Sequence, residues 1–441
     1  MEIIPELTLF LSMAAGFLFF RKSFGALTLH NPAALFFLGH VLLLGLGGLY
    51  RSIYAEVVPI NEIVIYLVAF SLSQYAAGAY LATIFFSTKN KIRSAIERSY
   101  FIKPLAYSKS GLFIFIVTTT PFLFSLAFSI KAGGLVWLMD DMDNARMEIR
   151  RGLGVITLLG IASSFVSSML LVHHIKPNLL NALIAITFFS FLAGSYGNRA
   201  PAGFVFISSL YYYFTMKQNA PKALFILISA SVFSALMALN IIRQGLDASL
   251  ASALQQILWR PFVNFQNLNI IYENFYLQDN IQYGFSYLRD LAIFIPGIHQ
   301  NNAEWIKEHL NMSFSGGGLT ITYIGELLLN FSIAPLFAAP FFLGVLLQAL
   351  FIFMLRFHLS ILFMLIVSFS TMAIVSSGLI PPAINMLAPM IIIYAGFTLL
   401  NTVLAELSKK PNSIKHDQAY KPAQANTEHI KINDNATYQR T

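Results

Sequence analysis

Not one cysteine occurs in the chain. That absence removes structural disulfides, thiolate nucleophiles and cysteine-ligated zinc together. Charge is nearly as scarce: 11% of residues are Asp, Glu, Lys or Arg, against about 25% in a soluble domain. Too few charges remain to coat a globule of 441 residues in water. The signatures of soluble enzymes are missing as well. There is no P-loop, GxSxG, HExxH or paired DxD, and the run Gly316-Gly317-Gly318 matches no phosphate-loop spacing. A cytoplasmic nucleotide-sugar enzyme is thereby disfavoured. No internal repeat is visible, which counts against a transporter built from duplicated halves.

What the chain has in quantity is apolar sequence, 57% of it, with a mean hydropathy of +0.67. Lipid must solvate much of this surface, so the backbone has to satisfy its own hydrogen bonds there. The apolar runs are near-continuous rather than alternating, which favours helices over a barrel. The reading is an all-α polytopic membrane protein. Residues 1–20 lack the basic n-region and small-residue cleavage site of a secretory signal, so they are expected to stay as the first membrane helix. The net charge of +8 is no nucleic-acid signal, because the basic residues sit between apolar runs, where they set orientation.

Spans of roughly 20 apolar residues are expected at 4–20, 33–50, 61–86, 111–130, 152–172, 179–193, 202–216, 222–242, 361–375 and 384–404. The run 319–355 is longer, about 55 Å as one helix. It is expected to be broken or re-entrant, kinked near Pro335 and Pro340, with one net crossing and non-helical backbone lining a cavity or buried in protein. Lysines and arginines of 89–109, opposed by Glu97 alone, mark the cytoplasmic side. About eleven crossings then reconcile every charge marker, with a large periplasmic loop of short helices late in the chain. The organisation expected is a transmembrane bundle over 1–242, the periplasmic loop over 243–318, a second bundle over 319–407, and a disordered cytoplasmic tail over 408–441.

On the expected outer side arginines are conspicuous, since the positive-inside bias depletes them there. Arg146, Arg150 and Arg151 precede one span, Arg199 sits in the turn Gly197-Asn198-Arg199-Ala200-Pro201, and Arg243, Arg260 and Arg289 lie in or beside the long loop. Guanidinium groups bind phosphate in a fork, which suits a lipid pyrophosphate. Arg150, Arg151 and Arg243 equally suit snorkelling to headgroups, and Arg146 an ion pair with Asp141 or Asp143. Arg199 is the best placed, because glycine and proline around it shape a turn. His299 and Asp290 are candidate proton acceptors; Arg289-Asp290 also suits a local ion pair, and His299 an exposed loop. Glu326 lies within an apolar run, where an ionisable group is costly and functional by default; a buried arginine partner is its structural alternative. Trp259, Phe262, Phe265, Tyr272, Phe275, Tyr283, Phe285 and Tyr287 make the loop aromatic-rich. That suits an interfacial lid, or a stacking platform for sugars.

Three stretches carry a family resemblance. Gly197-Asn198-Arg199-Ala200 resembles the Gly-(Thr/Ser)-Arg-(Gly/Ala) element of Wzy-type oligosaccharide repeat-unit (O-antigen) polymerases. Arg289-Asp290 with Phe294-Ile295-Pro296 is similar to a segment of the enterobacterial common antigen polymerase and its relatives. Gly317-Gly318-Leu319 with Tyr323-Ile324-Gly325-Glu326 and Asn330-Phe331 resembles the helix that follows the family's periplasmic loop. The likeness covers the second half of the chain, and the first half only as hydropathy. Asn198 departs from the usual Thr or Ser, and Ser332 stands where a glycine often follows Asn-Phe.

The resemblance implies a metal-independent, cofactor-free glycosyltransferase of the bacterial inner membrane. It would move a growing glycan from undecaprenyl pyrophosphate onto a new lipid-linked repeat unit at the periplasmic face. Pyrophosphate binding falls to Arg199, Arg289, Arg260 and Arg146, and proton removal to Glu326, Asp290 or His299. Gly197, Asn198, Gly316, Gly317 and Gly318 shape the turns. Implied partners are undecaprenyl-pyrophosphate-linked oligosaccharides, membrane lipid, and a chain-length regulator and flippase of the same pathway; nucleic acid is not among them. A lipid-linked oligosaccharide flippase would be expected to show two similar halves, and an O-antigen ligase would share the chemistry.

Overall fold

The computed structural model describes residues 4–24, 29–49, 60–86, 111–136, 153–175, 178–197, 199–216, 223–231, 234, 250–292, 300–313, 319–357 and 359–407, without the side chains of 22–24, 175, 199, 250–258 and 260. All regular structure among them is helical. In chain order the helices with described bounds are α1 (Ile4–Phe24), α2 (Pro32–Leu49), α3 (Glu62–Phe86), α4 (Gly111–Ala132), α5 (Gly154–Ile175), α6 (Leu179–Gly194), α7 (Arg199–Met216), α8 (Leu250–Ile271), α9 (Phe285–Leu291), α10 (Asn302–His309), α11 (Tyr323–Phe331), α12 (Ala339–Arg356), α13 (Ile361–Ser377) and α14 (Ile380–Leu407), and residues 223–231 are helical as well. Seven of these, α1 to α5, α12 and α14, are long and apolar enough to cross a membrane, while α6 and α13 are apolar but shorter. The chain is a multi-pass helical membrane protein.

Many of the helix starts are legible residue by residue. Asn31, Asn178, Asn301, Thr322 and Ser360 cap α2, α6, α10, α11 and α13, each side-chain oxygen accepting a backbone N–H of the first turn. Such caps supply partners for donors that the helix itself leaves open.

Two large apolar cores result, with two smaller clusters around Phe351 and Tyr196. One is formed by α1, α2 and α3 with α8, α11 and Leu347 of α12; the other by α4 to α7 with α13 and α14. α2 and α13 pack against each other where the cores meet, tied by Thr371 Oγ1 donating to the Pro32 carbonyl at 3.3 Å. α3 and α12 approach backbone to backbone. A Cβ on Gly344 would lie 3.0 Å from the Ala79 nitrogen and closer still to the Tyr75 carbonyl, and one on Gly78 would overlap the Phe341 carbonyl. Small residues that let helices touch this closely substitute packing for the hydrophobic drive that lipid cannot supply.

Between Leu319 and Leu355 the chain forms two helices rather than one. α11 ends at Phe331, a 3-10 turn covers Ala334–Phe337, and α12 begins at Ala339. The break lies at Ser332, whose φ of 68° and ψ of −160° fall in a region that is essentially glycine's own. α11 is nine residues long, about 13 Å, and so cannot itself cross a bilayer core of about 30 Å. Ser332→Gly is expected to raise stability by about 1 kcal/mol, relief of strain outweighing the added freedom of the unfolded chain. A lower midpoint for thermal unfolding of that variant would contradict the strain.

Candidate functional site

α11 is held at its start by Tyr323. The Tyr323 hydroxyl lies 3.2 Å from His40 Nδ1 of α2 and in contact with the Ser71 hydroxyl of α3. One turn on, Glu326 is buried. Its Oε2 accepts the Leu379 N–H at 2.6 Å, at the corner where α13 gives way to α14. Gly378 makes that approach possible. A Cβ there would come within 2.8 Å of Oε2, and the residue has a φ of 83°. Among the described residues the hydrogen-bond partner of this buried carboxylate is a backbone amide, where the sequence offered an arginine.

A second carboxylate stands nearby. Asp290, buried on α9, accepts from the Asn302 N–H at 3.1 Å and from Asn302 Nδ2 at 2.7 Å. Nδ2 also donates to the Ser286 carbonyl at 2.6 Å, and Asn330 Nδ2 donates to Ser286 Oγ at 2.5 Å and to the Glu326 carbonyl at 2.9 Å. A continuous hydrogen-bonded path thus runs Asp290, Asn302, Ser286, Asn330 and on to the backbone of Glu326. The turn before α9 belongs to the same assembly, with Gly284 N–H donating to Asn330 Oδ1 at 3.0 Å and Gln282 N–H to the Leu329 carbonyl at 2.8 Å. Arg289 donates from Nη1 to Asn302 Oδ1 at 2.9 Å and lies 3.9 Å over the Trp305 ring. Arg289 and Asp290, adjacent in sequence, are joined through one asparagine.

Neither α9 nor α11 is among the helices long and apolar enough to span a membrane, and their acids are perturbed. Burial pushes the Glu326 carboxyl up to about 7; the Leu379 N–H works the other way, and the neighbouring Asp290 charge adds to the rise. Burial also raises Asp290, against the Asn302 donors and the Arg289 charge. Tyr287 is raised by burial and by Glu326, while its hydrogen bond with Asn330 opposes the rise. Two acids with coupled charges, one balanced near neutrality, can exchange a proton with a bound hydroxyl. Among the described residues no three His, Asp or Glu side chains gather as a metal site.

Of the residues singled out from sequence, the structure brings together Glu326, Asp290 and Arg289. Gly197 forms the turn between α6 and α7 with a φ of 77°, and Arg199 opens α7. The side chains of Arg199 and Arg260 are outside the description, as are Arg146, His299, Asn198, Gly316, Gly317 and Gly318 entirely. The aromatic loop divides: Phe262, Phe265, Tyr272 and Phe275 are core, while Trp259, Tyr283 and Phe285 are exposed. Trp305 is covered by Arg289 and stacked on His309 at 4.9 Å.

Sequence reasoning missed Ser286, Asn302 and Gly378. The first two are neutral residues with no local signal. Gly378, followed by Pro381 and Pro382, reads locally as a helix stop and gives no hint of a carboxylate. No family model, curated protein or solved structure matches the chain.

Proposed function

We propose that the chain is a polymerase of lipid-linked glycan repeat units, acting at the periplasmic face of a bacterial inner membrane through about eleven crossings. The observation that carries this reading is Glu326, buried in a short helix between spans with a near-neutral proton affinity and Asp290 beside it. In the reaction, a hydroxyl oxygen of the new repeat unit attacks the anomeric carbon of the growing glycan. The bond from that carbon to the pyrophosphate oxygen breaks, undecaprenyl pyrophosphate departs, and the hydroxyl proton passes to Glu326. Departing negative charge calls for fixed cations, a role given to Arg199 and Arg289. Asp290, held by Asn302, which Arg289 engages in turn, keeps Glu326 basic enough to take the proton.

The direct test is the surface-polysaccharide ladder of a deletion strain. Single repeats capped on lipid A are expected; a complete lack of capped repeats would point to a flippase or ligase instead. Within this reading Arg199→Ala should lose polymer, and Arg199→Lys should stay impaired because an ammonium keeps the charge without the fork. Full-length polymer from Arg199→Ala at normal protein level removes Arg199 from the site.

Orientation is tested separately. The wild type has no cysteine, so Asn280→Cys and Ser94→Cys each create a single thiol. An impermeant maleimide should label the first in intact spheroplasts and spare the second. The reverse pattern inverts the topology and removes the lipid-pyrophosphate argument.

A further inference from the structure

α9 is amphipathic in the opposite sense to a helix bathed in water. At about 100° per residue, Phe285, Leu288 and Leu291 share one arc, and Ser286 and Asp290 occupy the other side. The polar pair is buried and the apolar residues are not: Phe285 is 62% exposed, Leu288 61%, Leu291 42%, and Tyr283, just before the helix, 76%. This is no fraying loop. The preceding turn is fixed by the Gly284 and Gln282 amides, and the inner face by the Asn302 and Asn330 amides. A rigidly displayed apolar face beside saturated polar groups calls for an apolar neighbour.

What adjoins that face identifies the neighbour. α9 packs on α11 and on the first residues of the span α14. Tyr287 stacks on Phe331 at 6.0 Å, and Phe331 is itself exposed. The 3-10 turn that packs on both α11 and α12 exposes Phe337, and the span α12 exposes Phe342 and Leu346. The α9 face thus extends the surface that the spans present to lipid.

We infer that α9 lies in the edge of the bilayer, with Phe285, Leu288 and Leu291 among phospholipid acyl chains and Ser286 and Asp290 turned to the Glu326 network. Interfacial helices of this kind bury their apolar face to about 5–10 Å. The consequence is a site approached sideways from the membrane along α9, by a molecule whose tail stays in lipid while its polar head reaches the carboxylates. The placement of α9 stands whatever reaction the site performs.

Nitroxide labels on single cysteines read this directly, with the protein in nanodiscs of phospholipid alone. Leu288→Cys and Phe285→Cys are the test sites. Leu346→Cys on α12 is the lipid reference, and Glu308→Cys, exposed on α10, the aqueous one. Oxygen should relax the α9 labels far more than a water-soluble nickel chelate does, with a ratio several-fold above Glu308 and approaching that of the mid-span Leu346. A ratio at Leu288 and Phe285 equal to that at Glu308 overturns the inference. So does an aqueous ratio that turns lipid-like only when a polyprenyl phosphate is added, since the face would then belong to a substrate tail rather than the bilayer. Unchanged thermal unfolding of each labelled variant shows that the fold is intact, so the ratio alone decides.

Discussion

Glu326→Gln is expected to abolish polymer while making the protein more stable above neutral pH. Glutamine keeps the shape of the side chain and an oxygen that can accept the Leu379 N–H, but it cannot take a proton. Loss of a general base typically costs about 10²- to 10⁴-fold in rate, enough to erase a ladder. The stability effect follows from linkage. The folded carboxyl is held near 7 against an ordinary value of 4.5, so the folded state binds a proton more tightly than the unfolded chain. Below the ordinary value both states are protonated and nothing is lost. As pH rises through this window the wild type loses stability, by roughly 3 kcal/mol at most once the folded group has ionised. The variant has no such dependence. Its thermal midpoint should therefore lie close to wild type near about pH 4 and above it near about pH 8. A normal ladder from Glu326→Gln disposes of the base; a gap in midpoint that is the same at both pH values disposes of the buried, ionising carboxylate.

The same residue shows how far the sequence reaches. Glu326 was conspicuous because a carboxylate within an apolar run must have a compensating partner. The partner was not legible: Leu379 lies 53 residues on and contributes only a backbone amide, which every residue but proline carries. Asp290 was legible beside Arg289, yet the group that joins them, Asn302, comes from the next helix and is neutral. Helices announced themselves where apolar runs were long, and their caps where Asn, Ser or Thr preceded those runs. The aromatic loop misled for a related reason. Phe265 and Tyr283 look alike in a sequence, and only packing makes one core and the other surface. Pro335 and Pro340 marked the broken run, but the break itself falls on Ser332, where the glycine that the geometry prefers is absent.

Gly378→Ala is expected to displace Glu326, and the loss should depend on the carboxylate being there. Two costs are combined at this position. With a φ of 83° and a ψ of −176°, Gly378 adopts backbone that side-chain-bearing residues avoid, worth about 1–3 kcal/mol. The added methyl would also meet Glu326 Oε2 at 2.8 Å, Cδ at 3.0 Å and Oε1 at 3.1 Å. The carboxylate must then leave the Leu379 amide, at a further cost of about 1.5–3 kcal/mol for a hydrogen bond to a charged group. Strain and displacement separate in a double-mutant cycle with Glu326→Ala, measured by thermal unfolding at a pH where Glu326 is ionised. In the wild-type background Gly378→Ala should cost both terms; in the Glu326→Ala background the clash with the carboxylate is gone and the strain remains. Contacting residues in such cycles show coupling of about 0.5–3 kcal/mol, and a value in the upper part of that range is expected here. Strict additivity would mean that Gly378 serves the backbone alone, and that the Glu326 carboxylate does not depend on the space this glycine leaves.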